Sequence, residues 1–192
     1  MTKRIGVLAG AFNPLTRAHL ALAEAAGKVV DEVVWVVPRV YPHKEFHGAA
    51  LEERVAMLKL AARHRVEVTE SGLFIYIARE LQLPDTEISF ICGRDAAARV
   101  IEWDYGEAGA IEKMLAEFSI LVAEREGTYE APTHLRHRVH RLDLSEDFSD
   151  VSSSEVRRRI AAREPWEHLV PEGIVRRVQG IYAASSSQGS HR

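Results

Sequence analysis

The chain has 192 residues, which is enough for one well-buried domain and too few for two ordinary ones. With 46% hydrophobic and 28% charged residues it reads as a soluble globular protein, and a formal charge of -3 argues against a general polyanion-binding surface. A single cysteine, Cys92, excludes an internal disulfide, and the absence of a signal-like start or a membrane-length apolar run makes a cytoplasmic enzyme or binding protein the expectation.

Ile5 to Ala9 is a short apolar run, broken by Gly10-Ala11-Phe12-Asn13-Pro14. Helix-compatible residues follow from about Arg17 to Gly27, and Val33 to Val37 forms a second buried strand ended by Pro38. Strand, glycine-containing turn, helix and strand make a βαβ unit, and continuous apolar strands suit a parallel sheet covered on both faces. Leu51, Val55, Leu58 and Ala62 mark one face of a helix over 50–63. A short strand at Val66–Val68, a helix at Leu73–Leu81 and a strand at Glu87–Cys92 follow, the last after the Pro84-Asp85 turn. A helix over Glu107–Ala116 leads to the strand Ser119–Ala123, and Arg136–Leu142 alternates weakly as an edge strand. Ser152 and Glu155 have capping-box spacing, and Pro171 opens a final helix through Ile181.

These elements predict an α/β fold: a Rossmann-like doubly wound parallel sheet with helices on both faces and a small helical C-terminal region. A single domain over 1–184 is expected, with its C-terminal helical part at about 152–184 and a flexible tail at 185–192. In such a sheet ligands bind beyond the carboxyl ends of the strands, near the switch in strand order. The loops after residues 9, 37, 92 and 123 are therefore the informative ones.

Three of them carry suggestive chemistry. In Gly10–His19, Gly10 lets a ligand approach the backbone, Thr16 can cap the next helix, and His19 lies near its N-terminal end, where anions are favoured. This is neither a P-loop nor a dinucleotide glycine fingerprint. Pro42-His43-Lys44 offers a cation for a phosphoryl oxygen, and Arg54 is either an exposed helix arginine or a brace for that loop through an acidic partner. Gly93-Arg94-Asp95 follows a strand; Asp95 could accept from ribose hydroxyls, reach Mg²⁺ through water or simply stand at a helix N-terminus, and Trp103 could stack on a heterocycle or simply pack. Ser152-Ser153-Ser154-Glu155-Val156-Arg157 supplies hydroxyls, unpaired N–H groups and a guanidinium at a helix start, or else is a solvated capped helix.

In order and spacing, these segments resemble the bacterial nicotinate mononucleotide adenylyltransferases, within the HxGH nucleotidyltransferase superfamily. The likeness spans approximately residues 4–182, including Met57 and Leu169-Val170-Pro171. Thr16 stands where the first histidine of the HxGH motif is usual, Ala18 where its glycine is, and Ser154 where a threonine is. Gly72-Leu73-Phe74-Ile75-Tyr76 replaces a more polar Ser-Tyr-Thr stretch, and Arg94 replaces a usual alanine.

The resemblance implies transfer of AMP from ATP to nicotinate mononucleotide, giving deamido-NAD and pyrophosphate by direct in-line displacement. It implies His19, Thr16, Lys44 and Arg157 as catalytic residues. ATP would meet Gly10, Ala11, Phe12, His19, Gly93, Asp95, Ser152, Ser153 and Arg157. The acceptor would meet Asn13, His43, Lys44, Arg94, Asp95 and Trp103. Mg²⁺ would be held mainly by phosphates and water, with no dense set of protein ligands. Partners are then ATP and nicotinate or nicotinamide mononucleotide, without nucleic acid or membrane, and with a homo-oligomer possible. Nicotinamide mononucleotide or phosphopantetheine adenylylation, cytidylyl transfer and a non-catalytic nucleotide-binding relative are the competing expectations.

Overall fold

A computed structural model describes residues 2–41, 48–123, 129–146 and 148–183. Six parallel strands form one sheet in the order β3-β2-β1-β4-β5-β6. They are β1 (Lys3–Ala9), β2 (Glu32–Val40), β3 (Arg65–Ser71), β4 (Thr86–Gly93), β5 (Ser119–Ala123) and β6 (Val139–Leu142). The chain runs outward from β1 through β2 to β3, then returns to pair β4 on the other side of β1. The switch in strand order therefore lies between β1 and β4, where Ile5 is opposite Ile88 and Val7 opposite Phe90.

Period-two alternation sends neighbouring residues to opposite faces, and both faces are buried. Leu8, Trp35, Val37, Ile91 and Leu121 face one core, closed by α1 (Arg17–Ala26), α2 (Leu51–Ala61), α6 (Ser153–Ala162) and the C-terminal turns. Val7, Val34, Val36, Phe90 and Ile120 face the other, under α3 (Phe74–Leu81), α4 (Arg94–Glu102) and α5 (Ala110–Glu117). Phe74 stacks on Phe90 at 4.0 Å, and Phe118 meets both rings edge-on. The doubly wound α/β fold is thus as the sequence implies.

Three details differ from the sequence expectation. The segment after β4, where the sequence offers only a helix start at Asp95, is a full helix, α4, whose buried side is only Ala97 and Ile101; so thin an apolar stripe gives little periodic signal. The helix expected from Pro171 through Ile181 is broken into a 3₁₀ turn at Glu172–Ile174, a single turn α7 (Val175–Val178) and a π-helical turn at Gln179–Ala183. Gly180 weakens a regular ladder there, and the wider turn carries Tyr182 to a buried partner described below. Finally, Ser152 accepts the Glu155 N–H at 3.1 Å, but the Glu155 carboxylate turns to Arg158 and Arg159 rather than back to the cap. The expected tail at 185–192 lies outside the described residues. Among the described residues no helix is long and apolar enough to cross a membrane.

Candidate active site

The loop after β1 and the start of α1 form the first half of the site. Phe12 has φ +47° and is buried, its ring edge-on to His19 and to Trp35, each at 5.2 Å. A Cβ on Gly10 would come within 3.2 Å of that ring, so glycine at residue 10 lets Phe12 pack closely over the turn. Phe12 thus acts as a packing support beneath His19.

Thr16 is the N-cap of α1 and His19 its third helical residue. The Thr16 backbone N–H donates to His19 Nδ1 at 3.0 Å, and Thr16 Oγ1 lies 2.8 Å from the same nitrogen. A backbone N–H can only donate, so Nδ1 is the acceptor and the imidazole proton resides on Nε2. His19 therefore offers an Nε2–H donor from the N-terminal turn of a helix, where the backbone already favours an anion.

The second half arrives from α6. Ser153 Oγ donates to Pro14 O at 2.7 Å, and Arg157 Nη1 donates to Asn13 O. Arg157 Nη2 also donates to Ser154 Oγ at 3.2 Å. The two serine- and glycine-bearing segments, 139 residues apart in the chain, thereby share one place. Arg158 and Arg159 are held by Glu155, which the Arg158 and then the Arg159 guanidinium draw down to a pKa of about 2.

Asn13 takes a bracing position. Its side chain is buried; Oδ1 accepts from Ala49 N–H at 3.1 Å and from the Tyr182 hydroxyl, while Gly48 lies so close over the amide that a Cβ there would overlap it. Arg54 is buried rather than exposed. It braces the loop by donating to Ala49 O and Ala11 O at 3.1 Å each and to the Tyr41 hydroxyl at 2.8 Å.

Between β1 and β4 opens a cavity of about 440 Å³, lined in part by Ala9, His19, Gly93, Arg94, Asp95 and Ser149. It stands at the strand-order switch, as the topology requires. A Cβ on Gly93 would meet nothing within 4 Å, so the space in front of α4 is open to a ligand. Asp95 is largely exposed there, 3.6 Å from Arg94 Nε. A second cavity of about 570 Å³ adjoins the first, sharing Ala9, Cys92, Ala96 and Arg99. Its walls are apolar and aromatic: Leu73, Phe74, Tyr76, Trp103, Tyr105 and Met114. Trp103, at the end of α4, is 45% exposed and so presents a ring to this space. The segment 72–76 supplies its apolar wall.

His43 and Lys44 lie outside the described residues. The site thus gathers His19, Gly93, Arg94 and Asp95 at one cavity and Trp103 at the next. Arg99 lines both cavities and was missed by sequence reasoning; only its i+4 spacing from Asp95 and to Trp103 hints at it. Cys92 lies in the floor shared by the cavities, and burial pushes its thiol up to about 12, which leaves it neutral and inert. Among the described residues no group of three or more His, Cys, Asp or Glu could hold a metal ion.

A doubly wound sheet whose α1 and α6 starts are hydrogen-bonded together, with a cavity at its switch point, is the arrangement to compare with known nucleotidyltransferases. The model of the cytidylyltransferase-like family matches residues 7–159. A probable nicotinate-nucleotide adenylyltransferase of Gloeobacter violaceus is 31% identical over 95% of this chain and 97% of its own. One from Herpetosiphon aurantiacus is also 31% identical, covering 95% of this chain and all of its own. Among solved structures, Plasmodium falciparum nicotinic acid mononucleotide adenylyltransferase complexed with NaAD shares the fold. Its TM-score is 0.62 at 16% identity, over 97% of this chain and 93% of that one. The chain belongs to the cytidylyltransferase-like nucleotidyltransferases and, within them, to the nicotinate-nucleotide adenylyltransferase family.

Proposed function

We propose that the protein transfers AMP from ATP to nicotinate mononucleotide, releasing pyrophosphate and forming deamido-NAD. The observation that carries this reading is that Ser153 and Arg157 are bonded to the 13–14 loop, which leads into the helix start bearing His19, and that His19 lines a cavity adjoining an aromatic one. The names of the relatives, each a probable nicotinate-nucleotide adenylyltransferase, support the acceptor.

An oxygen of the acceptor's 5′-phosphate attacks the α-phosphorus of ATP. The bond from that phosphorus to the oxygen bridging to the β-phosphate breaks, and the electron pair leaves on pyrophosphate. A phosphate monoester is already anionic near neutral pH, so the protein's contribution is alignment and charge stabilisation. His19 Nε2–H donates to the oxygens of the phosphate being transferred, and Thr16 holds the ring in that tautomer. Arg157, Ser152 and Ser153 take the β- and γ-phosphates, exchanging loop carbonyls for phosphate oxygens. The Gly10–Phe12 backbone and Gly93 let ATP lie close to the sheet. Asp95 receives ribose hydroxyls, Arg94 lies at the same rim, and Trp103 stacks on the pyridine ring. His43 and Lys44 would reach the acceptor phosphate from the following loop. A single exposed carboxylate, Asp95, at the cavity rim fits a water-mediated contact to Mg²⁺ held by ATP's own oxygens. When bound, that ion would neutralise charge on the triphosphate.

A pyrophosphate-release panel with Mg²⁺ tests the reading, crossing ATP and CTP with nicotinate mononucleotide, nicotinamide mononucleotide and phosphopantetheine. The expected result is the highest kcat/KM for ATP with nicotinate mononucleotide. Dependence on CTP, exclusive use of phosphopantetheine, or tight ATP binding without pyrophosphate release from any pair would overturn it.

A further inference from the structure

We infer that Arg99 is the residue that selects a carboxylate on the acceptor's ring over an amide. This rests on the adenylyl-transfer reading and deepens it. Among the described residues lining the aromatic cavity, Arg99 is the one charged side chain. The other polar side chains lining it, Tyr41, Tyr76, Tyr105, Trp103 and Cys92, are uncharged, and Gly72, Leu73, Phe74 and Ile75 carry no side-chain donor. Many of the protein's arginines are paired, as in Arg4–Asp31, Arg79–Glu117, Arg158–Glu164 and Arg177–Glu53. Arg99 makes no hydrogen bond or ion pair to another described residue, so its guanidinium is available to a ligand.

The position fixes which anionic group it meets. Asp95, Arg99 and Trp103 are spaced four residues apart along α4, so they follow one another down one side of the helix, about 6 Å per step. The acceptor phosphate has to lie at the His19 end, because the bond to the α-phosphorus forms there. Its ring then extends past Asp95 into the aromatic cavity, where Trp103 provides a stacking face. The second anionic group of nicotinate mononucleotide is the ring carboxylate, and Arg99 is the cation beside that ring. Arg94 lines only the His19 cavity and is placed next to Asp95, so it is less suited to this task. A guanidinium fork fits a carboxylate with two parallel N–H donors, whereas an amide supplies only one acceptor and its NH₂ meets the fork donor to donor.

The experiment is steady-state kinetics of the wild-type enzyme, Arg99→Gln and Arg99→Lys with ATP and each pyridine mononucleotide. The wild type should prefer the carboxylate. In R99Q the ratio of kcat/KM for nicotinate over nicotinamide mononucleotide should fall by about tenfold or more, the scale of one charge-assisted hydrogen bond. Most of the change should lie in KM for nicotinate mononucleotide, with KM for ATP little altered, and R99K should recover part of the ratio. Arg99 is exposed, so both variants should fold, and equal Tm values would check that. An unchanged ratio in R99Q, or an equal loss with both acceptors, overturns the role of Arg99 while adenylyl transfer stands. A wild-type preference for the amide has the same consequence. A wild type that adenylylates neither acceptor overturns the functional reading and the inference together.

Discussion

The Tyr182 hydroxyl donates to Oδ1 of Asn13, joining the last described helical turn to the first loop across 169 residues. The same oxygen accepts the Ala49 N–H, and the Asn13 carbonyl accepts from Arg157. One small residue thus ties the start, the middle and the end of the chain together within the loop that leads from β1 into α1.

Tyr182→Phe keeps the buried ring and removes only the donor. Oδ1 retains the Ala49 N–H, so the loss should be that of one ordinary hydrogen bond, about 1 kcal/mol. For a chain of this size that lowers Tm by about 2–4 °C. Burial pushes the Tyr182 hydroxyl above the ordinary tyrosine range, so the proton stays on and the bond persists through neutral and mildly alkaline pH. Thermal unfolding of wild type and Y182F at pH 7 and pH 9 should therefore differ by the same amount at both. An equal Tm for the two proteins would mean that the contact contributes nothing.

Arg54 makes a stronger demand. Its guanidinium is buried and donates to two carbonyls and a phenol, all in fixed directions. Lysine keeps the charge but not the fork, so Arg54→Lys should not rescue Arg54→Met. Each substitution should destabilise the protein by about 2–3 kcal/mol, as expected when a hydrogen-bonded buried charge loses its geometry. Urea denaturation gives the difference. A lysine variant as stable as wild type would mean that charge alone suffices.

Arg54 and Arg99 mark where the sequence stopped being informative. The strands near 5–9, 33–37, 87–92 and 119–123 are legible because parallel strands buried on both faces need unbroken apolar runs. The two segments that meet at Pro14 and Ser153 stand out because glycine and hydroxyl residues cluster at the starts of α1 and α6. Arg54 is only half legible: a bracing role is one of the two sequence readings, but through an acidic partner, whereas its acceptors are the Ala49 and Ala11 carbonyls and the Tyr41 hydroxyl. Leu51, Val55, Leu58 and Ala62 suggested a helix face that left it outside, whereas the fully buried residues of α2 are Arg54, Met57 and Leu58. Arg99 escaped for a related reason: α4 has too few apolar residues to announce itself, and without the helix the stripe from Asp95 to Trp103 is only spacing.

Glu155 provides a pH signature. Its carboxyl is lowered to about 2 by hydrogen bonds from Arg158 and Arg159, and that of Glu164 is lowered by Arg158. A carboxyl with a depressed folded-state pKa contributes stability above its unfolded pKa, about 4.3, and loses it as pH falls toward the folded value. The contribution is therefore present at pH 6 and shrinks progressively toward pH 2. The Tm difference between wild type and Glu155→Gln should be largest near pH 6 and should narrow between about pH 4.5 and pH 2. The Arg158–Glu164 pair is exposed and the Glu155 pairs are only partly buried, so added salt should also reduce the difference. Parallel Tm curves for the two proteins through that window would show that the carboxylate is not coupled to folding.

His19 carries the most direct prediction for chemistry. Its Nδ1 accepts the Thr16 N–H, which puts the ring proton on Nε2; in the proposed reaction that N–H donates to the transferring phosphate. His19→Ala should lower kcat by about 10²–10³-fold, the range for removing one preorganised donor to developing charge. Stability should change little, because the ring is only partly buried. Thr16→Val tests the support separately. It removes the hydroxyl 2.8 Å from Nδ1 but keeps the backbone donor, so the tautomer should persist and kcat should fall by no more than about tenfold. Imidazole ¹⁵N shifts of wild type and T16V should both report a protonated Nε2. A T16V enzyme as impaired as H19A, with an unchanged tautomer, would assign the phosphate contact to the threonine hydroxyl instead.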